Sequence, residues 1–358
     1  MTVLSFVGVL AFTILWVVLP LLPALRELYA PSDVEPLSMV GRDNADIARF
    51  SRHFRDYIQA NLKRLPPDAR SGTDFIGKLP DGTGIVHVVT AAEGHPVAEL
   101  PADAQQRIVV LEQSAELPGR EQFQQELWAR KELAGGPGAS YRAILGERSV
   151  SLADGSVVLR WLHSVGTLTI GDRAHLYGRC SSEARIRLGR LVGFDRLGAP
   201  SIIVGSGSEI VGRPPVPESM PAFERPERAR DMGDAIRVEE DCVVPAGVLV
   251  TGNLVVAGSL QIGIGARIEG SVKAHGEIQV ASGAVVVGSV VSRKAIAIGQ
   301  KCWVRGPIIS EEQLRLARGT MIGTVESPTT IVGRTVALAL GTTVHGQVIA
   351  EEGGQTED

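Results

Sequence analysis

Few residues in this chain have the type and setting to do chemistry, and they are scattered. His275 and His345 sit in its most regular part, where a neutral imidazole could take a proton from an attacking hydroxyl or amine. Nothing marks a partner carboxylate or a cofactor loop beside either, so both read as turn or surface histidines. Cys180, Cys242 and Cys302 lie far apart, with no CxxC pair and no histidine at zinc-ligand spacing. They are expected as free buried thiols in a reducing compartment. The glycine-rich run Gly135–Gly136–Pro137–Gly138 lacks the Lys-Ser/Thr that a phosphate loop needs, and it reads as a linker. No Ser/His/Asp grouping or pair of acids stands out. The expectation is a protein that is not an enzyme, with no catalytic, cofactor-binding or metal-binding residues and no cofactor.

Composition narrows the class. The 358 residues allow two or three domains, and 44% hydrophobic content is enough to bury a core. Aromatics are only 4%. A chain rich in Val, Ile, Ala and Gly favours narrow interiors, and so repeats, over a broad aromatic core. A net charge of −4 supplies no basic field, which argues against a nucleic-acid partner.

Thr2 to Leu25 carries no charged side chain, and the run is long enough to cross a bilayer of roughly 30 Å as one helix. No Lys or Arg precedes it and no prompt small-x-small site follows, so it reads as an uncleaved anchor rather than a signal peptide. Leu4, Phe6, Val9, Phe12, Leu15, Trp16 and Leu19 would face lipid, with Arg26 at the interface. Arg26, Arg42, Arg49, Arg52 and Arg55 all follow the span, which places the bulk of the chain in the cytoplasm. The domain order expected is an anchor over 1–27, a linker over 28–42 and a small α+β region over 43–149. In that region, Ile47, Phe50, Phe54, Ile58 and Leu62 form a helical stripe, with Asn44 as N-cap and a basic opposite face. Ile85 to Thr90 and Arg107 to Leu111 read as strands, and Glu121 to Leu133 as a second helix.

Beyond residue 236 a fixed period appears. Glycines at Gly247, Gly265, Gly283, Gly319 and Gly341 mark corners, with Lys301 in the place of one; the first steps are 18 residues. Three residues after each comes an aliphatic: Val250, Ile268, Val286, Val304, Ile322 and Val344. A second glycine recurs at Gly252, Gly270, Gly288 and Gly306. Such a pattern predicts short strands joined by tight corners, with aliphatics inward and coils stacked at about 4.8 Å. A weaker copy over 150–212 is carried by Leu168 and Ile186, 18 apart, and 213–235 reads as a Pro- and charge-rich loop. The repeat domain spans 236–350 and an acidic tail 351–358.

The units GARIEGSV, GAVVVGSV and GTTVHGQV resemble the polymer-forming repeat of the bactofilins, bacterial cytoskeletal proteins. The resemblance covers about 110 residues firmly; the anchor and the α+β region lie outside it. It implies a right-handed triangular β-helix that assembles end to end without nucleotide, as a membrane-associated scaffold positioning other envelope proteins. Independently of the resemblance, a solenoid end exposes unpaired strand edges. The final coil shows no aromatic or helical cap, so Val344 and Val348 are expected on an assembly surface.

Two alternatives stand beside this. A monomeric membrane-tethered interaction module would differ only in keeping its ends capped. A left-handed hexapeptide-repeat acyltransferase would fit Ile262, Ile268, Val280, Val286, Ile298 and Val304, but its third side falls on Ala274, Ser292 and Ser310. The expectation is therefore a mainly β protein: an anchored β-helix with 18-residue coils at the inner membrane of a bacterium. Its partners would be the membrane, further copies of itself and envelope-associated proteins.

Overall fold

The computed structural model describes residues 12, 47–66, 74–82, 84–89, 106–205, 219–227, 229–233 and 235–358. Met1–Asp46 and Ile47–Asp358 form separate units. Of the first unit only Phe12 is described, helical and exposed. The expected anchor residues Leu4, Phe6, Val9, Leu15, Trp16, Leu19 and Arg26 and the linker 28–42 lie outside the described residues, and the helix expected to be capped by Asn44 begins at Arg49 with Ala48 in the N-cap position. Among the described residues no helix is long and apolar enough to cross a membrane.

The second unit is a β-solenoid of about 13 turns with one short helix. In its downstream stack, residues one coil apart pair in parallel on three sides. One side runs Val250, Ile268, Val286, Val304, Ile322 and Val344. The second runs Leu254, Val272, Val290, Ile308 and Ile331, and the third Leu260, Ile278, Ile296, Leu314 and Val336. On the third side each three-residue strand buries its outer two side chains and exposes the middle one, as in Leu260–Ile262 and Ile278–Val280, whereas on the first side Leu249–Thr251 and Arg267–Glu269 bury the middle one. Parallel stacking pairs the backbone groups between coils, so a narrow interior of Val, Ile and Leu can stay dry.

The corners explain the glycines. Gly247, Gly265, Gly283, Gly319 and Gly341 all have φ between 64° and 76°, and Lys301 takes the same left-handed turn at 55°. Only glycine enters that region without steric cost. The second glycine series answers a different need: a Cβ on Gly270 or Gly306 would run into the backbone of Gly252 or Gly288 in the coil before.

The stack extends much further upstream than the sequence suggests. Val109, Leu127, Ile144, Leu162, Cys180 and Leu197 form one parallel row, and Ala115, Leu133, Val150, Leu168, Ile186 and Ile202 another. The segment expected as a second helix is instead the strand Gln122–Ala129 followed by Leu133–Gly135. Its apolar residues Phe123, Leu127 and Trp128 fit a helical stripe, but Leu127 points into the solenoid and Trp128 away from it. The glycine-rich linker is likewise a coil corner, with Gly138 at φ 67°. The α+β region expected over 43–149 thus reduces to one helix and a short strand pair, Phe75–Lys78 against Ile85–Val89, at the start of the stack.

Helix α1 (Arg49–Leu62) lies along one side of this upstream stack. It covers the outward-facing row Val110, Trp128, Leu145, His163, Ser181 and Gly198, from Leu62 and Ile58 at one end to Ile47 against Gly198 at the other. Fourteen residues of helix rise about 21 Å, close to the ~24 Å of five strand spacings. Ile58, Leu65, Leu79, Val86, Val88, Val110, Trp128 and Leu145 make a second core here, outside the solenoid interior. The helical stripe read from the sequence therefore packs on the neighbouring coils.

Candidate functional site

The histidines weighed for catalysis are far from any catalytic grouping. His275 is exposed on a coil corner, and His345 lies beside the carbonyl of Pro200, Nδ1 to O 2.9 Å. All three cysteines are buried and free, and loss of solvent pushes their thiols up, that of Cys302 to about 11. Such thiols are poor nucleophiles. Among the described residues no cluster of His, Cys, Asp or Glu could hold a metal ion.

One constellation was invisible in the sequence. Beneath helix α1, His163 Nδ1 lies 2.8 Å from Ser181 Oγ, and its Nε2 is 3.5 Å from Glu183 Oε1. The residue types are those of a hydrolytic triad, but Ser181 is 3% exposed and His163 2%, so no substrate reaches the serine. Burial lowers the His163 pKa, with the Glu183 charge opposing the shift. Nearby, Glu147 Oε1 accepts from Arg55 Nε at 2.8 Å and Trp128 Nε1 at 2.9 Å, tying the helix to the coils. This group is a polar seam. Its members sit one coil apart, 18 residues for His163 and Ser181, a signal available only once the upstream period is known.

The most distinctive feature is where the two stacks meet. The strand Gly193–Val204 ends the upstream stack and Thr343–Glu357 ends the downstream one, and they pair antiparallel. Leu197 faces Val348, Ile202 faces Val344, and Phe194 faces Gly354. Thr356 Oγ1 donates to Gly189 O and accepts from Val192 N, both at 2.8 Å. The Phe194 ring occupies the space where a Cβ on residue 354 would sit. A single apolar core runs continuously from Val89 to Ala350 through this joint.

The assembly surface expected at Val344 and Val348 is therefore not open. Both side chains are 0% exposed, and their strand is hydrogen-bonded on either side, to Thr329–Ala339 and to Gly193–Val204. Residues 351–357 are likewise strand rather than a loose acidic tail. A coil end with unpaired edges needs a partner, and here the partner is the other coil end of the same chain.

The opposite end of the downstream stack is also covered. Arg230–Asp231 pairs antiparallel with Ala235–Val238, while Phe223 N and Pro221 O bond to Leu249. Phe223 and Ala229 pack against the end of the core. Part of the Pro-rich loop expected over 213–235 thus serves as a cap.

Repetition, a continuous core and mutually covered coil ends define the class, a β-solenoid built from two stacks joined end to end. No family model, no curated protein and no solved structure matches the chain.

Proposed function

We propose that this protein is a membrane-tethered, non-enzymatic scaffold of bactofilin type, which makes its end-to-end contact within one chain and positions other proteins along the inner membrane of a bacterium. The observation that carries the reading is the antiparallel joint between Gly193–Val204 and Thr343–Glu357. The bactofilin resemblance implies a right-handed triangular β-helix that grows by joining coil ends. Here two such ends satisfy each other, so the chain acts as a closed rod. About 13 coils at 4.8 Å give a stack of about 60 Å. A dry aliphatic interior and short edges suit a rigid platform, and the outward middle residues of the strands are the surface a client would read. The apolar run from Thr2 to Leu25 supports the tether, and the arginines after it support a cytoplasmic rod.

Sedimentation and negative-stain microscopy of the full chain in detergent, over a range of concentrations and without nucleotide, test the reading. The closed rod gives one species of constant size. Filaments, or an average mass that climbs with concentration, would restore the polymer reading and locate growth at the outer ends. A compact trimer would revive the hexapeptide acyltransferase.

A further inference from the structure

We propose that the flank of helix α1 and the adjoining coils form a docking face for an anionic bilayer surface, fixing which side of the rod lies against the membrane. The inference rests on the tethered reading above. Phe50, Leu159 and Tyr177 are large apolar side chains left 50%, 51% and 48% exposed. They are neighbours. The Arg179 guanidinium lies 4.9 Å from the Phe50 ring centre, Trp161 packs on Phe54 at 5.5 Å, and Trp161 and Arg179 pair across adjacent coils. Leu159 and Tyr177 hold equivalent places two residues earlier in the same two strands.

Cations surround this apolar group. Arg160 and Arg196 are exposed, Arg179 is half-buried, and none of the three makes an ion pair among the described residues. Of the acids on the same coils, Glu126 pairs with Arg142, and Asp195 is oriented by the Gly178 backbone N–H. The surface therefore combines unpaired guanidinium groups with half-exposed aromatic and aliphatic side chains. Phosphate headgroups match the first and the interfacial zone the second, where amphipathic aromatic and long cationic side chains are at home.

The chain path agrees with a bilayer partner. The apolar run ends at Leu25 and helix α1 begins at Arg49, so the connecting 23 residues reach at most about 80 Å. A tethered rod samples the bilayer constantly at that distance, and a modestly attractive face is enough to orient it.

The test uses the full chain in vesicles with Leu159→Cys carrying an environment-sensitive thiol fluorophore; the native cysteines are buried and do not compete. A second protein carries the label at Gln279→Cys, on an exposed position of the downstream stack. Brominated lipid should quench the label at 159 in phosphatidylserine-containing vesicles, and much less in phosphatidylcholine alone or at position 279. Neutralising Arg160 and Arg196 to glutamine should shift the docked-to-free ratio about 30-fold toward free. Equal quenching at both positions, none at 159, or quenching indifferent to lipid charge would overturn the proposal. A carbonate wash of the same vesicles reports on the tether separately: protein that washes off refutes the anchor whatever the label shows.

Discussion

Placing a side chain at Gly354 should open the joint between the stacks without unravelling the coils. A Cβ there overlaps the Phe194 ring, and Phe194 is itself 3% exposed, so it has nowhere to move without breaking its place in the upstream core. Overpacking of this kind costs about 1–3 kcal/mol. Because the strain falls on one antiparallel seam, local opening of that seam should become about 5 to 150 times more frequent. Hydrogen exchange followed by mass spectrometry on Gly354→Val reads this directly. Amides in 193–204 and 343–357 should exchange faster by that factor, while those in 254–316 keep their wild-type protection. Adding Phe194→Ala vacates the space the valine needs, and the double variant should regain protection at the seam relative to the sum of the two single changes. Uniform acceleration along the chain, unchanged exchange at the seam, or strictly additive effects would each refute the claim that Phe194 on Gly354 closes the joint.

Replacing Gly283 with lysine forces a side chain into the left-handed corner that Lys301 already tolerates, and should lower the melting temperature by a few degrees for a cost of about 1–2 kcal/mol; Lys301→Gly should give a smaller change of opposite sign. Glu147→Ala removes the acceptor shared by Arg55 and Trp128, so helix α1 should loosen by about 2 kcal/mol and become more sensitive to limited proteolysis while the coils resist. Burial depresses the His163 pKa below its usual 6.5, so the unfolded chain takes up the proton first on acidification. Stability should be at its plateau above about pH 6.5 and fall as the pH drops below it, by at most about 1.4 kcal/mol per unit for this group, and His163→Gln should flatten the decline in thermal melts.

The downstream coils were readable because each corner needs a positive φ and glycine supplies it almost every time. The upstream corners turn in the same way at Arg120, Gly138, Gly155, Arg173 and Leu191, but three of the five are not glycine. The steps also vary between 17 and 18, as in Leu127, Ile144 and Leu162. With its punctuation gone and its phase drifting, the stretch from Gln122 to Gly146 imitates a helix followed by a linker. Its core also carries Phe123 stacked on Tyr141 at 5.2 Å, and Phe194, which blurs the aliphatic signature of a narrow solenoid. The seam under helix α1 was hidden for the same reason, since His163 and Ser181 become neighbours only through the coil register.

Local chemistry within one coil is a property of the sequence: glycine where the backbone must turn left-handed, an aliphatic at each inward place, a polar residue between. Those rules specify a stacked coil and its period without reference to anything distant. What happens at the ends of a stack follows no local rule. A free edge can be met by another copy, by a capping loop or by a second stack, and all three leave the repeat itself unchanged. Only the tertiary structure decided among them here, because the pairing of Leu197 with Val348 joins residues some 150 apart in opposite directions, a contact fixed by the path of the whole chain and not by any segment of it.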